Sequence, residues 1–172
     1  INFISFTLFF LFLVKKSYIQ KNRKFFFLYG WLFGFGYFIT NIYWIPISLT
    51  FDQNFKFLIP LAIILIPSFL ALFYGLISYF FIIFKSKKIV SSFFIFSLLF
   101  GVLEFLRGTI LTGFPWNLIA YSFAEQQEIL SITNIIGTYG FNLFCISLFT
   151  CPAIFFIRDK KRVKSKIDRL PE

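Results

Sequence analysis

Long apolar runs separated by short basic loops constrain this chain more than any other feature. A helix of about 20 apolar residues spans the ~30 Å hydrocarbon core of a bilayer, and helices satisfy their backbone hydrogen bonds internally. Hydrophobic residues make up 59% of the chain and charged residues 14%. We therefore predict an all-α, polytopic transmembrane helix bundle with about five transmembrane helices, from the runs at 1–14, 25–50, 57–84, 89–108 and 131–157.

The domain organisation follows from the same runs. We predict one transmembrane helical domain over residues 1–157 and a basic cytoplasmic loop over residues 158–172. The first run has 14 residues, about 21 Å of helix, which is too short to span a bilayer. Because the chain also contains no Met, we expect the first helix and the final loop to be truncated parts of a longer protein.

Lysine and arginine are distributed unevenly over the loops. Fifteen of the seventeen lie in loops that alternate to one side, at 15–24, 85–88 and 158–172, and the other two are Lys56 and Arg107. The positive-inside rule assigns the basic loops to the cytoplasm. The net charge of +10 is thereby explained by topology, and we do not expect the chain to bind nucleic acid.

A charged pair stands at the end of the fourth run. Glu104 and Arg107 are three residues apart, so a helix places both on one face. Each charge alone would cost roughly 2.5–3.5 kcal/mol at bilayer depth, which predicts that they pair or turn together toward a polar cavity. Gly108 and Pro115 predict that the helix ends there, and Trp116 is typical of a membrane boundary.

The second run combines small residues with a polar, aromatic end. Gly30, Gly34 and Gly36 predict close approach of a neighbouring helix. Asn41 is expected to hydrogen-bond across helices, and the aromatic pair at 43–44 to anchor the chain at the interface. Two interpretations stay open for this end: an aromatic belt after a proline-terminated helix, or a surface that faces substrate.

Residues for catalysis or metal binding are not evident in this sequence. It has no His, and its two cysteines, Cys145 and Cys151, lie in one apolar run. We interpret both as small buried packing residues, because nucleophilic catalysis needs a base near the thiol and a metal site needs more ligands. We predict no catalytic residue, no metal site and no cofactor in this chain.

Four segments together carry a family resemblance. Glu-Phe-Leu-Arg-Gly at 104–108 with Leu-Thr-Gly-Phe-Pro-Trp at 111–116 is the most specific. The glycine-rich segment at 30–36 followed by Asn-Ile-Tyr-Trp at 41–44, and Gly-Thr-Tyr-Gly-Phe-Asn at 137–142, agree in order and spacing. On these residues the chain resembles the membrane domain of apolipoprotein N-acyltransferase, from the second transmembrane helix of the family to its sixth.

The resemblance implies a multi-pass enzyme of the bacterial inner membrane. Such an enzyme moves an acyl chain from a phospholipid to the N-terminal amine of a diacylglyceryl-cysteine lipoprotein. The expected partners are therefore the phospholipid donor, the lipoprotein acceptor and the membrane, and the enzyme is expected to be a monomer. The family's chemistry belongs to a periplasmic nitrilase-like domain with a Glu-Lys-Cys triad. This chain stops before that domain, so neither cysteine inherits the triad and the chain is expected to supply the lipid and substrate platform.

The candidate substrate-binding residues all belong to the predicted periplasmic face. Their alternative interpretation is structural, as a salt-bridged helix end and an aromatic belt. A competing function is a non-enzymatic transporter subunit or assembly factor, in which the charged pair would line a solute path. The candidates are Trp116, Phe114, Pro115, Glu104, Arg107, Asn41, Tyr43 and Trp44.

Overall fold

The computed structural model describes residues 1–51, 53–110 and 117–157, and the regular structure within these ranges is entirely helical. This confirms the all-α prediction. Three short 3-10 helices lie in the connections, at Ile45–Thr50, Gln53–Leu58 and Ile119–Phe123. The α-helices are α1 (Asn2–Lys16), α2 (Arg23–Asn41), α3 (Ile59–Phe84), α4 (Ile89–Ile110), α5 (Gln127–Leu130) and α6 (Thr133–Thr150).

Three helical segments are long and apolar enough to cross a membrane, namely Lys56–Phe84, Ile89–Ile110 and Thr133–Ile157. They confirm that the chain is a membrane protein. The other two long helices, α1 with 15 residues and α2 with 19, pack beside them in the same bundle. Three of the about five predicted transmembrane helices are thus supported as membrane spans within the described residues, and the first two apolar runs also form helices.

The predicted end of the second helix is wrong. We expected it to continue to about residue 50, but α2 ends at Asn41 and the chain continues in 3-10 turns up to α3. The Asn41 amide donates to the carbonyl of Tyr37 at 2.6 Å, so a side chain competes with the backbone for this acceptor. Pro46, which cannot donate to a helix, stands at the start of the first 3-10 helix. Conversely, α4 passes through Gly108 and ends at Ile110.

Two glycines let α2 and α3 pack closely. A Cβ at Gly34 would lie 2.7 Å from the Cβ of Tyr74, and one at Gly30 would overlap the Ser78 side chain. Contacts this short leave no space for a methyl group. At Gly36, by contrast, no atom lies within 4 Å of the added Cβ. The predicted close approach is therefore confirmed for the first two glycines and wrong for the third.

Phenylalanine rings form the centre of the bundle. The fully buried ring of Phe100 on α4 lies 5.5 Å from Phe6 on α1, 4.9 Å from Phe96 and 5.1 Å from Tyr74 on α3, measured between ring centroids. Edge-to-face and tilted pairs at these separations each contribute about 0.5–1.5 kcal/mol beyond the area they bury. The abundant Phe thus provides packing contacts between helices.

The two ends of the bundle differ in charge. Lys85, after α3, lies with its Nζ 4.8 Å from the ring of Tyr18, after α1, so both basic loops share one end. At the opposite end the Asn2 amide donates to the Ser122 hydroxyl at 2.5 Å, which joins the start of α1 to the third 3-10 helix. Helix α4 starts beside the basic loops, so its last turns with Glu104 lie at this second end.

The two cysteines are free thiols. Cys145 is buried in the core, as predicted for a packing residue, whereas Cys151 is half-buried. Within residues 1–51, 53–110 and 117–157, no group of three or more metal-ligating side chains comes together.

Candidate functional site: a buried charged pair beneath one end of the bundle

The pair predicted from the sequence forms inside the bundle. Arg107 Nη2 lies 2.6 Å from Glu104 Oε2, and both side chains are 0% exposed. The i, i+3 spacing on α4 produces this contact directly, because residues three apart lie on one helix face. The prediction that each charge compensates the other is confirmed.

The pair does not use all of its hydrogen-bonding capacity. Glu104 Oε1 and the Nε and Nη1 atoms of Arg107 are buried and have no hydrogen-bond partner among the residues that the structure describes. A buried ion pair offsets its desolvation only when further bonds satisfy the remaining donors and acceptors. Three polar atoms of the pair therefore have unused bonding capacity within the described part of the chain.

Aromatic side chains from α2 and α3 surround the charges. The Arg107 guanidinium carbon lies 5.3 Å from the centre of the Phe38 ring, a cation–π contact. The hydroxyls of Tyr37 and Tyr74 lie near enough to both charges to interact electrostatically. Tyr74 is beside the Glu104 carboxylate, but its geometry falls short of a hydrogen bond. Three helices therefore meet at this one polar point.

A buried segment at the start of the third 3-10 helix is fixed to α6. The backbone N–H of Ala120 donates to Asn142 Oδ1 at 2.9 Å, and Asn142 is fully buried. Leu118 and Ile119 are also almost completely buried, so this connection lies inside the bundle. The backbone enters it at Asn117 with a φ of 47°, a left-handed conformation that Asn tolerates.

Tyr121 on this segment and Tyr139 on α6 lie near each other and near the last turns of α4. The ring of Tyr139 on α6 lies 5.1 Å from Phe105, and its hydroxyl faces the site where a Gly108 side chain would stand. Burial, and then the neighbouring Tyr139, raise the pKa of Tyr121 above its usual value, while Arg107 acts in the opposite direction. The Tyr121 hydroxyl therefore stays protonated near neutral pH and can donate a hydrogen bond.

Sequence reasoning did not assign roles to several residues of this site. Asn142 stands in an apolar run, where a polar amide is a signal of hydrogen bonding between segments, but its partner on the third 3-10 helix was not predictable. Phe38, Tyr37 and Tyr74 carry no distinguishing signal among the many aromatic residues of the chain.

The remaining candidates are placed as follows. Phe114, Pro115 and Trp116 lie outside the described residues, so their substrate contact stays a prediction. Tyr43 is 63% exposed and Trp44 57% exposed, directly after α2. The expectation that Asn41 hydrogen-bonds across helices is wrong, because its amide donates within α2 to Tyr37 and Thr40.

Comparison with known proteins decides the family. The sequence model described as "Apolipoprotein N-acyltransferase N-terminal domain" matches residues 1–151. The chain belongs to the apolipoprotein N-acyltransferase family. The match includes the charged pair and the buried Asn142. The chain is thus a membrane protein of an acyltransferase family.

Curated relatives agree with this assignment over most of the chain. The apolipoprotein N-acyltransferase of Rhizobium etli is 38% identical over 137 residues, which are 79% of this chain and 26% of that protein. Those of Brucella melitensis and Rickettsia bellii are 36% and 35% identical, over 73% and 78% of this chain and 24% and 27% of their own lengths. The chain spans about a quarter of the length of these relatives. No solved structure matches the chain.

Proposed function

We propose that this chain is the membrane part of an enzyme of lipoprotein maturation. The enzyme transfers an acyl chain from a phospholipid to the N-terminal α-amino group of a diacylglyceryl-cysteine lipoprotein. The observation that carries this proposal is the family match over residues 1–151. In the reaction the ester bond between acyl carbon and glycerol oxygen breaks, an amide bond to the amine forms, and a lysophospholipid leaves.

The covalent steps are proposed to use residues outside this chain. An acyl transfer needs an activated nucleophile with a base in reach. Here there is no His, Cys145 is buried in the core, and Glu104 is paired with Arg107. The resemblance to the family implies a nitrilase-like domain with a Glu-Lys-Cys triad, which would supply the thiol that carries the acyl group.

The helix bundle is proposed to act as the platform for both lipids. Phospholipid and lipoprotein each arrive by lateral diffusion, so their polar ends meet the protein at one end of the bundle. We propose that Phe114 and Trp116, with the exposed Tyr43 and Trp44, contact them there. The complete burial of Glu104 and its partner favours a supporting role beneath this surface over direct substrate contact.

The localisation follows from the charge distribution. We propose a multi-pass inner-membrane protein with the loops at 15–24 and 85–88 in the cytoplasm. The opposite end, with residues 117–128, then faces the periplasm. The contact between Tyr18 and Lys85, which brings both basic loops to one end, supports this arrangement.

A defined acylation assay tests the proposal. The full-length protein that contains this chain is reconstituted in phospholipid vesicles with a synthetic diacylglyceryl-cysteine peptide, and the peptide mass is followed. We expect a gain of one acyl chain with the full-length protein and none with residues 1–172 alone. No gain with folded full-length protein would overturn the proposed reaction, and a gain with residues 1–172 would overturn the placement of the chemistry outside them.

A substitution in the same assay addresses the platform. Trp116→Ala in the full-length protein should lower the initial rate by roughly tenfold or more, the effect of losing one well-placed aromatic contact. The reactivity of the distant thiol toward a small thiol reagent should not change. An unchanged acylation rate would remove Trp116 from the proposed platform.

A further inference from the structure

Positive charge is concentrated at the end of the bundle opposite the candidate functional site. Eight of the seventeen Lys and Arg residues lie in the two loops at 15–24 and 85–88, which contain no Asp or Glu. Lys85 Nζ lies 4.8 Å from the centre of the Tyr18 ring, so the two loops are neighbours. Seven of the eight basic residues are exposed, and Lys85 is half-buried. These two loops together are called the basic end below.

The charges of the basic end have no acidic partner in the described part of the chain. The ion pair found there, between Glu104 and Arg107, lies at the other end of the bundle. Glu125 and Glu128 follow the third 3-10 helix and lie at that end too. Exposed charges closer than the Debye length, about 10 Å at 0.1 M salt, are only partly screened by the solution. The basic end therefore keeps a net positive potential.

Helix dipoles add to this potential. Helix α2 begins at Arg23 and α4 at Ile89, so the N-termini of both helices lie at the basic end. A helix N-terminus carries a partial positive charge and favours an acidic first turn, but neither first turn contains an acidic residue. Arg23 and Lys24 instead place two cations in the first turn of α2, and Lys87 and Lys88 directly precede α4. A bound anion would interact favourably with the side chains and the helix ends together.

Hydrogen bonds hold both loops in defined conformations. The Ser92 hydroxyl donates to the Ser86 carbonyl at 2.8 Å and accepts from the Ser86 N–H at 3.1 Å. In the other loop the Asn22 side chain accepts from the Lys24 N–H at 3.0 Å, and the Gln20 side chain accepts from the Asn22 N–H at 3.1 Å. Because these backbones are ordered before a ligand arrives, binding loses less conformational entropy.

Exposed apolar side chains accompany the charges. Ile19 is 81% exposed and Tyr18 70% exposed, between the cations of the first loop. Tyr18 contacts Lys85, which directly follows the membrane span that ends at Phe84, so both lie at the level of the bilayer surface. Basic and apolar side chains side by side are typical of segments that bind an anionic lipid surface. A soluble anion would leave Ile19 in water, whereas a lipid would cover it.

We propose that the basic end binds an anionic phospholipid of the leaflet that it faces, through the headgroup phosphate. The phosphate oxygens accept charge-assisted hydrogen bonds from basic side chains of both loops. This lipid is not the acyl donor, because it lies at the end of the bundle opposite the candidate site and is not consumed. The inference uses the proposed topology only to name the leaflet, which is the cytoplasmic one, and it does not depend on the proposed reaction.

Lipid binding by the full-length protein in detergent tests this site. The purified protein is delipidated and titrated with dioleoyl phosphatidylglycerol, which is anionic, or with dioleoyl phosphatidylethanolamine, which has the same acyl chains and no net charge. Bound lipid is counted by native mass spectrometry. We expect a saturable excess of bound phosphatidylglycerol, because both lipids can enter a site for the acyl donor but only the anionic one is attracted to the basic end.

Charge variants locate this excess. Lys16→Gln combined with Lys87→Gln removes one cation from each loop and should weaken the excess binding by roughly tenfold or more, since each basic residue near an anionic lipid surface contributes about fivefold. Lys16→Arg combined with Lys87→Arg keeps both charges and should keep the excess. Lys56→Gln removes an exposed cation at the opposite end of α3 and should have no effect.

Two further features make the comparison specific. In detergent both ends of the protein are accessible, so a change of membrane topology in a variant cannot alter lipid binding. Acylation of the diacylglyceryl peptide with phosphatidylethanolamine as donor should be equal in all three variants and the wild type. A failure of the proposed lipid site is therefore distinguishable from a failure of the proposed reaction.

Two results would overturn the proposal. Equal binding of the two lipids, or an excess that the Gln variant does not change, would show that the basic residues act in membrane topology alone. Displacement of phosphatidylglycerol by glycerol 3-phosphate at an equal concentration would show that a free phosphate group, and not a lipid, is the ligand. A saturable excess that is lost in the Gln variant, kept in the Arg variant and resistant to glycerol 3-phosphate establishes the site.

Discussion

Removal of one charge from the buried pair should destabilise the protein far more than removal of an exposed charge. Glu104→Gln leaves a guanidinium that is sealed from solvent, with Nε and Nη1 already without partners in the described chain and its 2.6 Å bond to the carboxylate lost. Breaking a buried pair in this way costs about 3–5 kcal/mol. Phe38 offsets part of this cost through its cation–π contact with Arg107, about 2 kcal/mol at most.

The measurement is a double-mutant cycle on the full-length protein in detergent micelles. Unfolding by increasing fractions of sodium dodecyl sulfate is followed by circular dichroism for the wild type, Glu104→Gln, Arg107→Gln and the double variant. The double variant should lose less than the sum of the single losses, by about 1–3 kcal/mol, because the two residues share a contact. Losses that add to within about 0.5 kcal/mol would refute the coupling.

Two further predictions concern helix packing and topology. Gly34→Ala should destabilise the protein by about 1–3 kcal/mol, because its Cβ would lie 2.7 Å from Tyr74 Cβ. In the same unfolding assay Gly36→Ala should be neutral or slightly stabilising. Equal losses of stability in the two variants would contradict the packing described for α2 and α3. The topology is tested in a background in which Cys145 and Cys151 are replaced. Glu125→Cys should react with a membrane-impermeant thiol reagent in cells with a permeabilised outer membrane, and Ser17→Cys should not. The opposite labelling pattern would invert the topology.

Much of the architecture was predictable because the bilayer restricts the choices. Apolar runs must become helices there, and basic loops define one end. The pairing of Glu104 with Arg107 was predictable for the same reason, since spacing on a single helix is a local property. The position at which α2 ends was not predictable, because the competing hydrogen bond from the Asn41 amide to the Tyr37 carbonyl depends on one side-chain conformation.

The contacts between helices could not be predicted from spacing. Nothing in the sequence shows that Gly30 and Gly34 face Tyr74 and Ser78 while Gly36 faces open space; that difference depends on the rotation of α2 against α3. The bond from Ala120 to Asn142 joins residues 22 apart in sequence, and several other polar residues of that region were equally available as partners.

Hydropathy and motifs were sufficient to establish that this is a helical membrane protein, which helix carries the charged pair, and which family the chain belongs to. The packing of the helices was needed to show that the pair is fully buried against Phe38 and two tyrosines, and that Asn142 binds the backbone of Ala120 inside the bundle. The physical reason is the range of the interactions. Hydropathy, charge and i, i+3 spacing act along one helix, whereas burial and partner choice are properties of how several helices pack, and many packings are compatible with one pattern of apolar runs.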